Sequence, residues 1–205
     1  MSKPAQQIAQ RIIDAAYGLF AADGFEVPLS AVAKKARVTP AQLAAHFGSK
    51  PVLIQRVMAK LFDGRWRPEW DVLLADRAIP LEQRLIRFYV EYRSAMRPAD
   101  SRLWTRAGLL GAHKSGKFSS KLAQRITIPI VRELRHDAGL PTLDAKPVLP
   151  LEIELAGVLH GGIAFIKTRS DVFGMTVHGT LAEIVGVNVR VFLTGAPDEL
   201  RRLHA

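Results

Sequence analysis

The chain has 205 residues, of which 48% are hydrophobic and 23% charged, a composition ample for a buried core. Lys and Arg number 29 against 19 Asp and Glu, and the net charge of +10 favours polyanionic partners such as nucleic acid, acidic lipid or acidic proteins. The absence of Cys excludes disulfides, thiolate metal sites and a thiol nucleophile. The chain begins without the apolar run of a signal peptide, and its most apolar stretch, "LAGVLHGGIAFI", is too short to span a bilayer, so we expect a soluble cytoplasmic protein.

The first third of the chain is the more basic part and begins with an amphipathic pattern. Up to Arg67, ten Lys and Arg stand against four Asp and Glu. Apolar residues recur at helical spacing through 5–22, and Gly24 follows at the position of a C-cap. The pattern predicts an amphipathic helix that ends before this glycine.

Two short helices follow. The stretch "PLSAVAKKA" predicts a helix over 28–36, with its proline in the first turn. In "VTPAQLAAHFGSK", Thr39 as N-cap and Gln42 three residues later fit a capping box, which predicts a helix over 40–47 that ends at Gly48. A helix, a turn of three residues and a second helix is the arrangement that lets the second helix enter the major groove of DNA.

Helical periodicity continues to the end of the chain. A linking helix is predicted over about 50–64, and Pro129 is expected to kink a later one. The later helices are predicted at roughly 80–96, 101–113, 119–138, 150–168 and 176–194. We therefore expect an all-α fold: a helix-turn-helix domain over 1–50, the linking helix, and a larger helical domain over 65–205.

The N-terminal stretch "RIIDAAYGLFAADGFEVPLSAVAKKARVTPAQLAAHFGSKPVLIQRVM" resembles the tetracycline-repressor (TetR) family of bacterial transcription regulators. The shared features are "AA..LF...G" in the first helix, "A..A.V" in the second, and the closing "L..HF.SK..L". The resemblance implies a homodimer that binds a near-palindromic double-stranded DNA operator through two helix-turn-helix heads. It also implies a small-molecule effector, bound in the C-terminal domain, that releases the operator.

Three departures from the family pattern affect the expected DNA contacts. Arg37 stands where the family usually has Gly, at a turn where positive φ is common. Ala44 replaces a Tyr that touches the DNA backbone, and Pro28–Leu29 replaces a Ser or Thr near the start of the second helix. Two usual phosphate contacts are therefore in doubt.

The resemblance places a set of short and polar side chains at the DNA, and we predict the contacts Thr39, Pro40, Ala41, Gln42, Ala45, His46 and Lys50. Thr39 and Lys50 suit phosphates, and Gln42 is the side chain that could read adenine with two hydrogen bonds. We expect this helix-turn-helix to make few direct base contacts and to recognise DNA through its backbone charge and its shape. Plainer interpretations stay open: Gln42 as a helix cap, and His46 and Lys50 as ordinary surface residues.

The C-terminal helices carry aromatic and imidazole side chains suited to an effector pocket. We predict as liners Phe88, Tyr92, Trp104, His113, Phe118, His160 and Phe165, although each could simply be core. Because charged residues are scarce on these inner faces, a largely apolar effector is expected. The last two helices carry apolar stripes and glycines, and we predict a dimer interface at Leu155, Val158, Gly161, Gly162, Leu181, Val185 and Val189.

Enzyme motifs are weak by comparison. "GAHKSGKF" fits G-x-x-x-x-G-K but has Phe118 in place of the Ser or Thr that binds magnesium, and it follows a helical pattern instead of a strand. The six His show no metal-binding spacing, and no G-x-S-x-G occurs. We expect no enzyme activity, no cofactor and no metal.

Two rival functions stay open. The first is a dimeric small-molecule-binding protein whose head has weak or no operator affinity. A basic membrane-surface protein ranks lower, because an exposed apolar face is missing.

Overall fold

The computed structural model describes residues 3–111 and 117–205, with side chains from residue 120 onward in the second range. The described residues form α-helices joined by turns and contain no β-strand, so the predicted all-α fold is confirmed. The helices are α1 (Lys3–Asp23), α2 (Leu29–Ala36), α3 (Pro40–Phe47), α4 (Lys50–Asp63), α5 (Pro68–Ala75), α6 (Leu81–Ser94), α7 (Pro98–Leu109), α8 (Lys117–Leu122), α9 (Ile128–Asp137), α10 (Pro150–Asp171) and α11 (Leu181–His204). A π-helical turn, Ala123–Thr127, joins α8 to α9.

The first helices follow the sequence prediction closely. Gly24 ends α1 with a φ of 86°, and its N–H donates to the carbonyl of Phe20 at 3.1 Å. One detail is corrected: Pro28 lies before α2 as its N-cap, with extended backbone angles, and not in the first helical turn.

The C-terminal helices depart from the prediction at two places. Helix α5 was not predicted, although Pro68 stands in its first turn, where proline is favoured. Helix α11 begins five residues later than predicted, because Thr180 and Glu183 form a capping box. It then continues through Pro197 to His204.

The helices divide into two compact units. The N-terminal unit comprises Met1–Arg65 and Met96–Lys114, and the C-terminal unit comprises Trp66–Ala95 and Ser115–Ala205. Along the chain, the first change of unit falls after Arg65. The segment around α7, however, lies in the N-terminal unit, whereas the sequence analysis assigned it to the larger domain.

A buried carboxylate joins three segments of the N-terminal unit. Asp100 of α7 is fully buried and accepts hydrogen bonds from the Tyr17 hydroxyl at 2.6 Å, from Arg65 Nη2 and from the Arg97 N–H at 2.7 Å. Burial, and then the hydrogen bond to Asp100, raise the pKa of Tyr17 to about 12. Because these donors come from α1, from the end of the α4 segment and from the start of α7, one side chain holds all three together.

The core of the C-terminal unit lies among α5, α6, the π-helical turn and α9 to α11. Pro129 cannot donate the hydrogen bond of an α-helix, and its ring would meet the carbonyl one turn earlier. The chain accommodates it with the wider π-helical turn directly before α9. The expected disturbance at Pro129 is therefore a π-helical turn within a nearly continuous helix.

A buried ion pair holds the start of α10 against α9. Arg135 donates from Nε to Glu152 Oε1 at 2.7 Å and from Nη2 to Oε2 at 2.5 Å. Its guanidinium also donates to the carbonyls of Lys146 and Pro147, which fixes the connection between the two helices. His204, at the end of α11, lies 2.9 Å from Glu152 through Nε2. The last helix is thereby tied to the same carboxylate.

The environment of Glu152 predicts a specific loss of stability in acid. Burial raises the pKa of Glu152, but hydrogen bonds from Arg135, the Leu149 N–H and His204 outweigh it and lower the pKa from 4.5 to about 2. The carboxylate therefore stabilises the fold fully above pH 4.5, and this contribution is lost as the pH falls toward 2. We expect Glu152→Gln to lower the free energy of unfolding at pH 7 by roughly 3–5 kcal/mol, because it leaves Arg135 buried without its counter-charge.

Urea unfolding at a series of pH values between 7 and 2 measures both effects. The Glu152→Gln variant should lose less further stability than the parent protein below pH 4.5. Glu199→Gln, on the exposed face of α11, is the matched control and should follow the parent curve. Equal acid sensitivity of the parent and Glu152→Gln would contradict the prediction.

Candidate nucleic-acid interface

Helices α2 and α3 are joined by a tight three-residue turn. Arg37 adopts left-handed backbone angles, φ 55° and ψ 50°, and among the described residues it is the one non-glycine with positive φ. Its N–H donates to the carbonyl of Lys34, and the N–H of Val38 donates to that of Ala33, both at 3.1 Å. These bonds end α2 in the manner usually supplied by glycine and set the direction in which α3 begins.

Helix α3 has one buried and one exposed face. Leu43 and Phe47 retain 2% and 6% exposure and pack into the core of the N-terminal unit. Positions 41, 42, 44 and 45 are exposed, and three of these four are alanine. The helix therefore presents an open surface on which little projects beyond a methyl group.

The predicted capping box at the start of α3 is confirmed. Thr39 Oγ1 accepts from the Gln42 N–H at 3.1 Å, and Gln42 Oε1 accepts from the Thr39 N–H at 2.9 Å. Reading adenine with two hydrogen bonds needs both the oxygen and the nitrogen of the Gln42 amide. To read a base in this way, Gln42 would have to weaken or abandon its cap, at a cost of about 1 kcal/mol.

The predicted DNA contacts occupy one stretch of surface with unequal exposure. Thr39, Pro40, Ala41, Gln42 and Ala45 are exposed, while His46 and Lys50 are partly buried. The His46 ring lies 6.2 Å, centroid to centroid, from the ring of Phe47. The structure thus places all seven residues at or beside α3.

The cations of the helix pair stand at the end of α2. Lys34, Lys35 and Arg37 are exposed, and Ala44 on α3 is exposed as well. From the sequence alone, Arg37 is only a departure from the glycine expected at this turn. Its combination of exposure, charge and left-handed backbone makes it a further candidate for phosphate contact.

The predicted effector residues are only partly brought together. Phe88, Tyr92 and His160 meet in the C-terminal unit. Trp104 lies in the N-terminal unit and packs against that unit's core, and Phe165 is 48% exposed beside Phe173. His113 lies outside the described residues, as does the side chain of Phe118.

The residues that do meet belong to a larger aromatic cluster, which we define as Trp66, Trp70, Phe88, Tyr89, Tyr92 and His160. Phe88 and Tyr92 are stacked, with centroids 5.6 Å apart and an interplanar angle of 13°. The His160 ring lies 6.0 Å from Tyr89 and 6.2 Å from Tyr92. Both tryptophans and Tyr89 were not among the predicted residues, although the density of aromatics in "RWRPEW" and "FYVEY" is a signal for them.

Two arginines border the aromatic cluster. Arg93 is 4% exposed and donates from Nη2 to the carbonyl of Ala164 at 2.8 Å. Arg125, in the π-helical turn, has its Cζ 5.2 Å from the centroid of the Trp66 ring, a cation–π distance. Burial, and then the charge of Arg93, lower the pKa of His160 to about 4, so this imidazole is neutral at pH 7.

The residues predicted for a dimer interface divide between surface and core. Val158 is 68% exposed on α10, Gly161 and Gly162 are exposed beside it, and Leu155 and Leu181 are partly exposed. Val185 and Val189 are fully buried within the core of one chain and do not present their side chains at its surface.

Contrary to the expectation that an exposed apolar face is missing, large apolar side chains of α10 and α11 are exposed, and we call them the α10–α11 face: Leu151, Val158, Phe165, Val187 and Val191. The three α10 residues recur every seven positions, as in a helix seam that packs against another helix. The two valines of α11 were not predicted, because they lie on the opposite face of that helix from Leu181, Val185 and Val189.

Within the described part of the chain, no helix has the length and apolar character needed to span a bilayer. Over the same residues, no group of three or more His, Asp and Glu side chains is placed to hold a metal ion.

Comparison with known proteins agrees with this geometry. Residues 12–57 match the family model of the tetR family of bacterial regulatory proteins. The fold matches the crystal structure of a proposed TetR-family transcriptional regulator from Mesorhizobium loti MAFF303099, with a TM-score of 0.65, 17% identity and coverage of 94% of this chain and 98% of that one. No curated protein matched the sequence. Residues 12–57, which contain the helix-turn-helix pair α2 and α3, are thus the part of the chain that is similar to the tetR family of bacterial regulatory proteins.

Proposed function

We propose that the protein is a ligand-responsive repressor that binds a near-palindromic operator as a homodimer and leaves it when a small, largely apolar effector binds. The observation that carries this proposal is the pair α2–α3, which is anchored by Leu43 and Phe47 and keeps one face of α3 open to solvent. An exposed helix of this kind, preceded by a bracing helix and basic residues, suits the major groove.

The surface of α3 favours a reader that relies on the backbone and shape of DNA. Alanines at 41, 44 and 45 offer only apolar contact, for example with a thymine methyl group. Lys34, Lys35, Arg37 and Lys50 supply charge for phosphates. Sequence preference would then come from DNA deformability together with a small number of base contacts.

A homodimer is supported by the α10–α11 face. Single exposed apolar residues are ordinary, but here they line up at heptad spacing on one helix and extend to a second. Gly161 has no atom within 4 Å of a Cβ placed on it, so a partner helix could approach closely there.

A second candidate function is a dimeric small-molecule-binding protein with weak or no operator affinity. It is favoured by Ala44 and by Pro28–Leu29, which lack the hydroxyl groups that the family uses on phosphates. Selection of genomic fragments followed by sequencing separates the two functions. An enriched near-palindrome supports the repressor, and salt-sensitive binding without enrichment supports the alternative.

Substitutions at Gln42 and Lys50 test the proposed DNA face. Gln42→Ala should relax preference at one or two operator positions by roughly 1–3 kcal/mol. Lys50→Ala should weaken binding to all sequences alike and reduce the salt slope by about 1, because it removes one phosphate contact. Footprinting and salt titrations on the selected operator measure both effects. Lys167→Ala, in the C-terminal unit, is the control. The assignment would be refuted if Gln42→Ala weakened binding to all sequences alike and Lys50→Ala changed the preference at single operator positions.

Arg37→Gly should move stability and DNA affinity in opposite directions. Glycine relieves the cost of about 1–2 kcal/mol that a left-handed conformation imposes on an L-residue. It also increases the conformational entropy of the unfolded chain, which destabilises the fold by about 0.4–1 kcal/mol. We therefore expect a net gain of about 0.5–1 kcal/mol in the free energy of unfolding. Loss of the charge should weaken operator binding several-fold and flatten its salt dependence.

Urea unfolding and operator titration on the same Arg37→Gly sample test these two effects. Arg56→Gly, at an exposed position within α4, is the matched control and should lose about 1 kcal/mol of stability. A destabilised Arg37→Gly variant would argue against backbone strain, and unchanged operator affinity would argue against a phosphate contact.

Val158→Arg should convert the proposed dimer to monomers. It places a charge in the centre of the α10–α11 face, where desolvation in an interface would be costly. Val72→Arg is the matched control, since Val72 is also a valine of the C-terminal unit and is 71% exposed on α5. Sedimentation equilibrium gives the mass. A dimer that persists in Val158→Arg, or a monomeric parent protein, would contradict the proposal.

A further inference from the structure

Two polar atoms inside the aromatic cluster have no hydrogen-bond partner in the fold. The Oη of Tyr89, whose side chain is fully buried, is one of them, and the buried Nδ1 of His160 is the other. Buried polar groups in native proteins are nearly always paired, and an exception needs an explanation. Because the rings of these two residues lie 6.0 Å apart, their unpaired atoms belong to the same small region of the C-terminal unit.

The surfaces around these polar atoms are flat and aromatic. Phe88 and Tyr92 are stacked in parallel, and the ring of Trp66 meets that of Tyr92 at 6.3 Å and 61°. Trp66, Tyr92 and His160 are partly exposed, whereas the Oη of Tyr89 and the Nδ1 of His160 are enclosed, so a ligand reaches these two atoms only when the exposed edge of the cluster opens. Offset and edge-to-face contacts with such rings favour a planar, unsaturated molecule.

The charges beside the cluster favour an anion. Arg93 is buried and interacts electrostatically with Tyr89, Tyr92 and His160, and Arg125 lies over Trp66. Three carboxylates are nearby: Glu91 accepts from Trp70 Nε1 and Arg87, Asp71 accepts from Trp66 Nε1, and Asp171 acts electrostatically on Arg93. Glu91 and Asp71 are thus occupied as acceptors, while Tyr89 and His160 can both donate.

We propose that the aromatic cluster binds a planar aromatic carboxylate through Tyr89, His160 and the two arginines, and that such an acid is the effector of the proposed repressor. The carboxylate accepts from the Tyr89 hydroxyl and from the imidazole N–H at Nδ1, and Arg93 and Arg125 supply its counter-charge. The apolar body of the acid lies against Tyr92, Phe88 and Trp66. The inference rests on the proposed function in its second part only, because the site can bind an acid whether or not the protein has an operator.

Calorimetric titration of the full chain tests the site with three acids and their uncharged amides: trans-cinnamate, 2-naphthoate and indole-3-acetate. We expect at least one acid to bind with a Kd below about 1 mM and about tenfold more tightly than its amide. Failure of all three acids to bind would overturn the proposal, and so would equal or tighter binding of the amides.

Variants locate the binding of the acid. Tyr89→Phe removes only the hydroxyl and should weaken the acid by about fivefold to tenfold. Arg125→Gln, at a partly exposed position, should reduce the preference for acid over amide. Tyr17→Phe is the matched control, since it removes a hydroxyl in the N-terminal unit and should leave the acid affinity unchanged. An unchanged affinity in both Tyr89→Phe and Arg125→Gln would place the acid elsewhere and overturn the proposal.

A DNA arm separates this inference from the proposed function. The acid that binds most tightly is added to the complex of the protein with its selected operator fragment, and release is followed by fluorescence anisotropy. If the acid releases the operator fragment, and if Tyr89→Phe requires a higher acid concentration for this release, both the acid site and its effector role are supported. Operator binding that no acid alters overturns the effector role, while acid binding by a protein that selects no operator leaves the site standing and refutes the repressor.

Discussion

The burial of Leu43 and Phe47 is the interaction on which the functional geometry of the head depends. An eight-residue helix is too short to be stable alone, so α3 exists because these two side chains, one turn apart, fix it to the core of the N-terminal unit. The same two contacts determine which positions point outward. Packing therefore decides which face of α3 is exposed. That this face carries mostly short side chains is a property of this particular chain.

The turn before α3 combines a backbone constraint with charge. Glycine would meet the left-handed geometry at position 37 without strain, but arginine adds a cation at the place where α2 gives way to α3. Local strain retained at a surface position is consistent with a functional use of the side chain. Since Ala44 on α3 carries only a methyl group, the exposed cations nearest to the start of α3 are those of the turn and of the end of α2.

The C-terminal unit shows two different treatments of buried polar groups. Arg135 and Glu152 satisfy one another and the neighbouring carbonyls, so their burial fixes α9, α10 and the end of α11. Tyr89 and His160 are buried without such partners. The first arrangement stabilises the fold, while the second leaves hydrogen-bonding capacity in an aromatic environment, which is the character expected of a ligand site.

The sequence by itself determined the local features of this protein. Capping residues, glycine C-caps and helical periodicity depend on neighbours within a few positions, and α1 to α4, including the capping box of Thr39 and Gln42, could therefore be predicted. Helix α5 was missed because a short helix buried at Trp70 and Leu74 carries little periodic signal.

Only the tertiary structure decided what depends on distant segments. It placed α7, with Trp104, in the N-terminal unit around Asp100, and it gathered Trp66 and Trp70 with Phe88 and His160. It also buried Val185 and Val189 and exposed Val187 and Val191 on a helix that is apolar on more than one side. Periodicity can mark an apolar stripe, but which stripe meets the core is set by packing against helices far away in the chain.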